Sequence, residues 1–174
     1  MKKITIIGNG GAGKSSLAKA LGKQLKLPVY HLDQIIWLPN WEAISESEFC
    51  SKHQSLIAGD SWIIEGLGYD SSIESRFLAS NTIIYIDFSI VTHMLWAIKR
   101  SIKSFYTMPN GWAKDCQTVT KLPYIMRIIW HVHKYTRPYI LSILKKYEKT
   151  KVIHYIRSPK ELNGFYKKIE TVSN

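Results

Sequence analysis

Acidic residues are scarce in this chain of 174 amino acids: 13 Asp and Glu stand against 24 Lys and Arg. The shortage is uneven, with 9 acids against 8 bases up to Asp87 but only 4 against 16 from Phe88 onward. Such an excess of fixed positive charge attracts a polyanion or a multiply phosphorylated ligand over a Debye length. Cysteine is also sparse. Cys50 and Cys116 lack the paired spacing of a zinc site or redox motif and cannot build a disulfide framework, so both are expected as reduced thiols in a cytoplasmic protein. Glycine and proline, at 10 and 6, are too few for a collagen-like or low-complexity chain, while 6 Trp and 10 Tyr argue against disorder. No segment reaches the roughly 18 apolar residues of a membrane span. The apolar run within MKKITIIG is shorter than the about 7–15 residues of a secretion signal's core. No membrane partner is expected. The length and the 45% hydrophobic content suit one domain over 1–174 with a substantial core.

Against this background one motif stands out. Gly8 to Ser15 read GNGGAGKS, which fits the phosphate-binding pattern GxxxxGK[ST] in full. The β-branched run from Lys3 to Ile7 suits a buried strand, and Ser15 to Lys26 carries a helical apolar pattern at Leu17, Ala18, Leu21 and Leu25. Strand, glycine loop and helix therefore come in the order the motif requires. Gly8, Gly10, Gly11, Ala12 and Gly13 are expected to turn backbone N–H groups inward around phosphate oxygens, and the helix N-terminus adds its partial positive charge. Lys14 can then reach the β- and γ-phosphates, and the Ser15 hydroxyl can ligate Mg²⁺.

Three further apolar runs stop at an acid. Val29 to Leu32 leads to Asp33, Ser61 to Ile64 to Glu65, and Thr82 to Ile86 to Asp87. Parallel strands covered on both faces read this way, and their carboxyl ends are where ligands bind. Asp33 is a candidate for holding a substrate hydroxyl or a Mg²⁺ water, or else a local turn or cap residue. Glu65 is a candidate base, or a Mg²⁺ contact through water. Asp87 reads as a structural or Mg²⁺-linked acid, or as the N-cap of a helix from Phe88 to Ser104. The segment HLDQIIWLPNW has no clear period, and its Trp37 and Trp41 either form a stacking wall or pin the loop to the core.

The second half is expected to be mainly helical. Lys99, Arg100 and Lys103 near one helix end either answer the helix dipole or, for Arg100, offset charge on a transferred phosphoryl group. The stretch from Phe105 to Val119 has Pro109, Asn110 and Gly111 and no period, and reads as a lid. Helices are expected from Pro123 to about Lys134 and from Pro138 to Lys149, separate because proline favours a first turn. Lys151 to Tyr155 is a last strand, and Ser158 to Ile169 a helix capped by Ser158. His131 and His133, two apart, face different directions on a helix and make no metal site.

The combination of GNGGAGKS, HLDQIIWLPNW, WIIEGLGY, IIYIDF leading to KR, and HYIRSPKEL resembles the small adenylate-kinase-like proteins named DNA topology modulation proteins, over nearly the whole chain. The resemblance implies a three-layer α/β P-loop NTPase fold with a five-stranded parallel sheet, as in nucleoside monophosphate kinases, with ATP and Mg²⁺ as ligands and phosphoryl transfer as the activity. It places Gly8, Gly13, Lys14, Ser15 and Ser16 at the triphosphate, Asp33 on the acceptor side and Glu65 at the end of the central strand. It also places Arg100 and Arg137 beside the lid, Arg76 in the acceptor region and Arg157 to Pro159 beside the adenine. Glu65-Gly66 stands where an Asp or Asn turn is expected, and the lid segment has Lys114 but no arginine.

Three functions fit these residues. The first is a Mg²⁺-dependent kinase moving the γ-phosphoryl group of ATP to a nucleoside or nucleotide-like acceptor held by Asp33, Trp37, Trp41, Tyr69 and Arg76. The second is a nucleic-acid-associated ATP-binding protein, in which the basic half and Trp112, Tyr124, Trp130 and Tyr135 supply charge and stacking. The third is a small-molecule kinase outside nucleotide metabolism.

Overall fold

The protein is described from a computed structural model, over residues 2–38, 42–103 and 121–171. Trp41 and the whole of the expected lid from Phe105 to Val119, including Trp112, Lys114 and Cys116, lie outside the described residues. Five strands, β1 (Lys3–Gly8), β2 (Val29–His31), β3 (Trp62–Glu65), β4 (Thr82–Ile86) and β5 (Val152–Ile156), form one sheet in the order β2-β3-β1-β4-β5. Every pair is parallel. The expected α/β fold is therefore present. Because the strands share one direction, all their carboxyl ends open on one edge, and the order reverses direction around β1. That switch point leaves a crevice at the end of β1.

The sheet's two faces follow its period of two. Ile4 and Ile6 bury against α1 (Lys14–Leu25) and α8 (Pro159–Thr171) through Leu17, Leu21 and Leu162. Ile7 buries on the other face with Ile73 and Phe77 of α4 (Ile73–Ala79) and Ile140 and Leu144 of α7 (Arg137–Tyr147). Between these residues Thr5, also fully buried, shares a 2.7 Å hydrogen bond with Ser80 Oγ. A further cluster joins Trp62 and Ile64 to Phe49 and Ile57 of α3 (Glu46–Ala58).

Three local expectations are corrected. The run from Val29 does not stay extended to Leu32: it ends at His31, and Leu32 and Asp33 belong to a short helix, α2 (Leu32–Ile36). Leu32 and Ile36, one turn apart, are both buried, and Trp37 N–H bonds the Asp33 carbonyl at 3.1 Å. The seemingly aperiodic segment thus begins with a helical turn, and Trp37 then pairs with Ala43 in an isolated antiparallel bridge.

The second correction concerns α6 (Leu122–His131) and α7, expected as separate helices. They form one continuous helical path through a π-turn, Val132–Thr136. Arg137 N–H reaches back five residues to the Val132 carbonyl, and the widened turn accommodates Pro138, which has no N–H to give. The third correction is the cap of α5 (Ile90–Lys103). Ser89 Oγ, and not Asp87, accepts from the Thr92 N–H at 3.2 Å, which leaves Phe88 buried outside the helix.

Candidate active site

Residues 9–13 connect the end of β1 to the start of α1, and their path is dictated by glycine. Gly11 has φ +72, and a Cβ there would lie 2.7 Å from the His93 carbonyl oxygen; at Gly8, φ +155, it would lie 2.3 Å from that of Ile86. Only glycine permits both the dihedral and the close approach. Gly10 borders Ile129, Ala12 is buried, and Gly13, also at positive φ, is the N-cap of α1.

That N-terminus is left open. No side chain caps α1 and no acid stands in its first turn, whereas Ser45 and Ser158 cap α3 and α8. An uncapped twelve-residue helix preceded by a glycine loop offers unmet N–H donors and a positive dipole end to an anion. Lys14, the first residue of α1, directs Nζ to the Asn9 carbonyl at 2.9 Å. Ser15 is half-buried and Ser16 exposed in the same turn.

Two acids and a second cation converge on Lys14. Burial pushes Lys14 down, opposed by Glu65 and Asp33, with Arg100 of α5 pushing it further down. Burial pushes Asp33 up, Glu65 adds to this, and Lys14, Arg100 and His31 oppose it. Arg100 is pushed down by burial against the pull of Asp33 and Glu65. Each effect has the same origin: charges held together at reduced solvation, where their mutual attraction is weakly screened. Glu65 is almost wholly buried, pairs with Ile6 in the β1–β3 register and with His31 across β2, and accepts from His31 Nδ1 at 2.6 Å.

The site therefore uses residues that the sequence motifs do not mark. His31 orients Glu65. His93 on α5 donates from Nδ1 to the Gly10 carbonyl at 3.0 Å, and its pKa is lowered to about 4 by burial first and then by Lys14, so the ring is neutral at pH 7. Asn9 ties the loop to α6, with Nδ2 donating to the Ile129 carbonyl at 2.8 Å. The x positions of the glycine pattern carry no rule for Asn9, and the two histidines reach the site only through folding.

Other expected residues stand at the rim or below the site. Arg137 Nε and Nη2 form a two-pronged ion pair with Asp87 at 2.7 and 2.8 Å, and this bond raises Arg137. Asp87 and Arg137 share a cavity wall with Asn9, Tyr85, His93 and His133. Arg157, exposed after β5, lies over the Tyr155 ring at 5.4 Å. Tyr69 donates its hydroxyl to the Ile44 carbonyl at 2.8 Å, and Trp37 packs on the α3 cluster. Arg76 is completely buried.

The donor chemistry suits hard oxygen-seeking ions. A Ser15 hydroxyl next to Lys14, with the Asp33 and Glu65 carboxylates nearby, matches Mg²⁺ held chiefly by water and phosphate. No described helix is long and apolar enough to cross a membrane.

The fold is shared with shikimate kinases. A shikimate kinase from Acinetobacter baumannii in complex with shikimate superposes with a TM-score of 0.61 at 13% identity, covering 99% of this chain and 92% of that one. Another, from Bacteroides thetaiotaomicron, gives 0.54 at 13% identity, covering 97% and 96%. No family model and no curated protein matches the chain.

Proposed function

We propose that the protein is a Mg²⁺- and ATP-dependent kinase that transfers the γ-phosphoryl group to a hydroxyl of a small acceptor, nucleoside- or nucleotide-like. The observation that carries this reading is the convergence of Lys14 and Arg100 with Asp33 and Glu65 beside the uncapped start of α1. Phosphoryl transfer needs little covalent chemistry from a protein and much positioning of charge. The two solved shikimate kinases, one of them in complex with shikimate, support the class of reaction.

The loop N–H groups and Lys14 bind the triphosphate, and Arg100 offsets charge on the transferred group. Asp33 accepts the proton of the attacking hydroxyl as oxygen bonds to phosphorus and ADP departs. We assign the base to Asp33 and not Glu65 because Glu65 already accepts from His31, while burial and Glu65 raise the proton affinity of Asp33. Mg²⁺, when bound by Ser15 and water-linked Asp33 or Glu65, supplies neutralising charge at the phosphate oxygens.

One observation favours a second reading, the nucleic-acid-associated protein that the likeness to DNA topology modulation proteins suggests. Trp130 and Tyr135 are exposed, and Lys134 Nζ lies 4.8 and 5.2 Å from their ring centres. Stacking platforms with adjacent cations suit single strands. Labelled ATP with Mg²⁺ offered to nucleosides, nucleoside monophosphates, shikimate and polyols tests the kinase. Label in one acceptor class is expected; hydrolysis alone, raised by DNA, would favour the second reading.

A further inference from the structure

A charged guanidinium sealed in a core is costly, since several kcal/mol of hydration are lost unless partners replace it. Arg76 is such a group. It is completely buried on α4, and of its three nitrogens only Nη2 has partners, the carbonyls of Leu67 at 2.8 Å and Gly66 at 3.3 Å. Nε and Nη1 have none among the described residues. Burial pushes the group down to about 9, with the Glu65 carboxylate opposing. Its neighbour His53, on α3, is pushed to about 4 by burial and by Arg76, and so is neutral.

What this cation holds is the exit of β3. Gly66 and Gly68 both have positive φ, +121 and +75, and a Cβ on either would press on Leu32 of α2. Gly66 N–H is spent on the Ile6 carbonyl at 3.1 Å. The turn is therefore pinned to β1 by a donor on one side and to α4 by two acceptors on the other. The α4 end is anchored in turn: Ser80 Oγ donates to the Arg76 carbonyl at 2.7 Å and meets Thr5 of β1. Glu65 opens this turn and Tyr69 closes it, so its shape sets two acceptor-side groups at once.

We propose that Arg76 is a positioning residue for the acceptor side of the kinase site, clamping the 65–69 turn from beneath without touching either substrate. The inference rests on the kinase reading for its kinetic test but not for its structural one. A direct acceptor contact, the role the resemblance implies for Arg76, does not fit a side chain with no exposed surface.

The test compares Arg76→Met and Arg76→Lys with the parent chain. Arg76→Met is expected to lower kcat/KM for the acceptor roughly 10–100-fold, as removing an outer supporting group does elsewhere. ATP affinity, read with a fluorescent analogue, is expected to stay within about twofold, because the phosphate loop rests on other contacts. Lysine, keeping a donor, is expected to recover part of the loss. Equal loss of ATP and acceptor binding, or an unchanged acceptor KM and kcat, would overturn the proposal. If Arg76→Met fails to fold, Arg76→Lys carries the same comparison. If the parent transfers no phosphate at all, the kinase reading fails, and amide exchange at Gly66, whose N–H bonds the Ile6 carbonyl, still decides the clamp. Exchange at least about tenfold faster in Arg76→Lys supports it, and unchanged exchange overturns it.

Discussion

The phosphate side and the acceptor side of the candidate site are built in opposite ways. On the phosphate side the backbone does the shaping: glycines take dihedrals that other residues avoid, α1 begins uncapped, and one lysine is anchored to a carbonyl of its own loop. On the acceptor side buried side chains do the shaping. Glu65 leans on His31, Asp33 is tuned by Glu65, and Arg76 holds the turn that follows Glu65. A backbone site tolerates almost no change at a few positions, because the demand is steric. A side-chain site spreads the demand over several elements, so its parts can be weakened one at a time.

The largest effect tests whether the phosphate side is indispensable. Lys14→Ala is expected to lower turnover by roughly a thousandfold or more, as loss of a key stabilising donor does in other enzymes. Its thermal midpoint should hold, since the lysine is desolvated and adds little to the core. Turnover near that of the parent would break the assignment of the loop. Next, Asp33→Asn should lower kcat by about 10²–10⁴-fold with ATP affinity nearly unchanged, and Glu65→Gln by less. The reverse order would move the base to Glu65.

The smallest effect concerns stability. His93, under the phosphate loop, and His53, beside Arg76, are each held at about 4 in the folded chain against 6.5 unfolded. Between those values the unfolded chain binds more protons, so stability is fully present above 6.5 and is lost as pH falls toward 4. The loss is up to about 3 kcal/mol for each ring. Urea unfolding from pH 7 to pH 4.5 should show this slope, and His93→Gln should remove the phosphate-side share while leaving that of His53. An unaltered slope would show that the loop does not depend on a neutral ring.

The same contrast explains what was legible in the sequence. β1, β3, β4 and β5 read well as apolar runs, and GNGGAGKS read in full, because backbone demands leave a residue signature at fixed spacing. The helix α3 went unread, although Ser45 and Glu48 stand at capping spacing and the Glu48 N–H donates to Ser45 Oγ at 3.2 Å. Asp33 was misplaced at a strand end because the pattern of Leu32 and Ile36 is too short to show a helical period. The continuity of α6 with α7 was hidden because a π-turn absorbs Pro138 without a local signal. His31, His93 and the burial of Arg76 were not legible, since each depends on elements that are distant in the chain.

In the proposed kinase both sides of the site act on one phosphoryl group. The most direct test is the stoichiometry of transfer, with ADP and phosphorylated acceptor counted together in the presence of ATP, Mg²⁺ and the acceptor class that takes up label. One ADP is expected for each phosphorylated acceptor, with little ADP when the acceptor is left out. ADP formed at the same rate without acceptor, and no label outside inorganic phosphate, would contradict it.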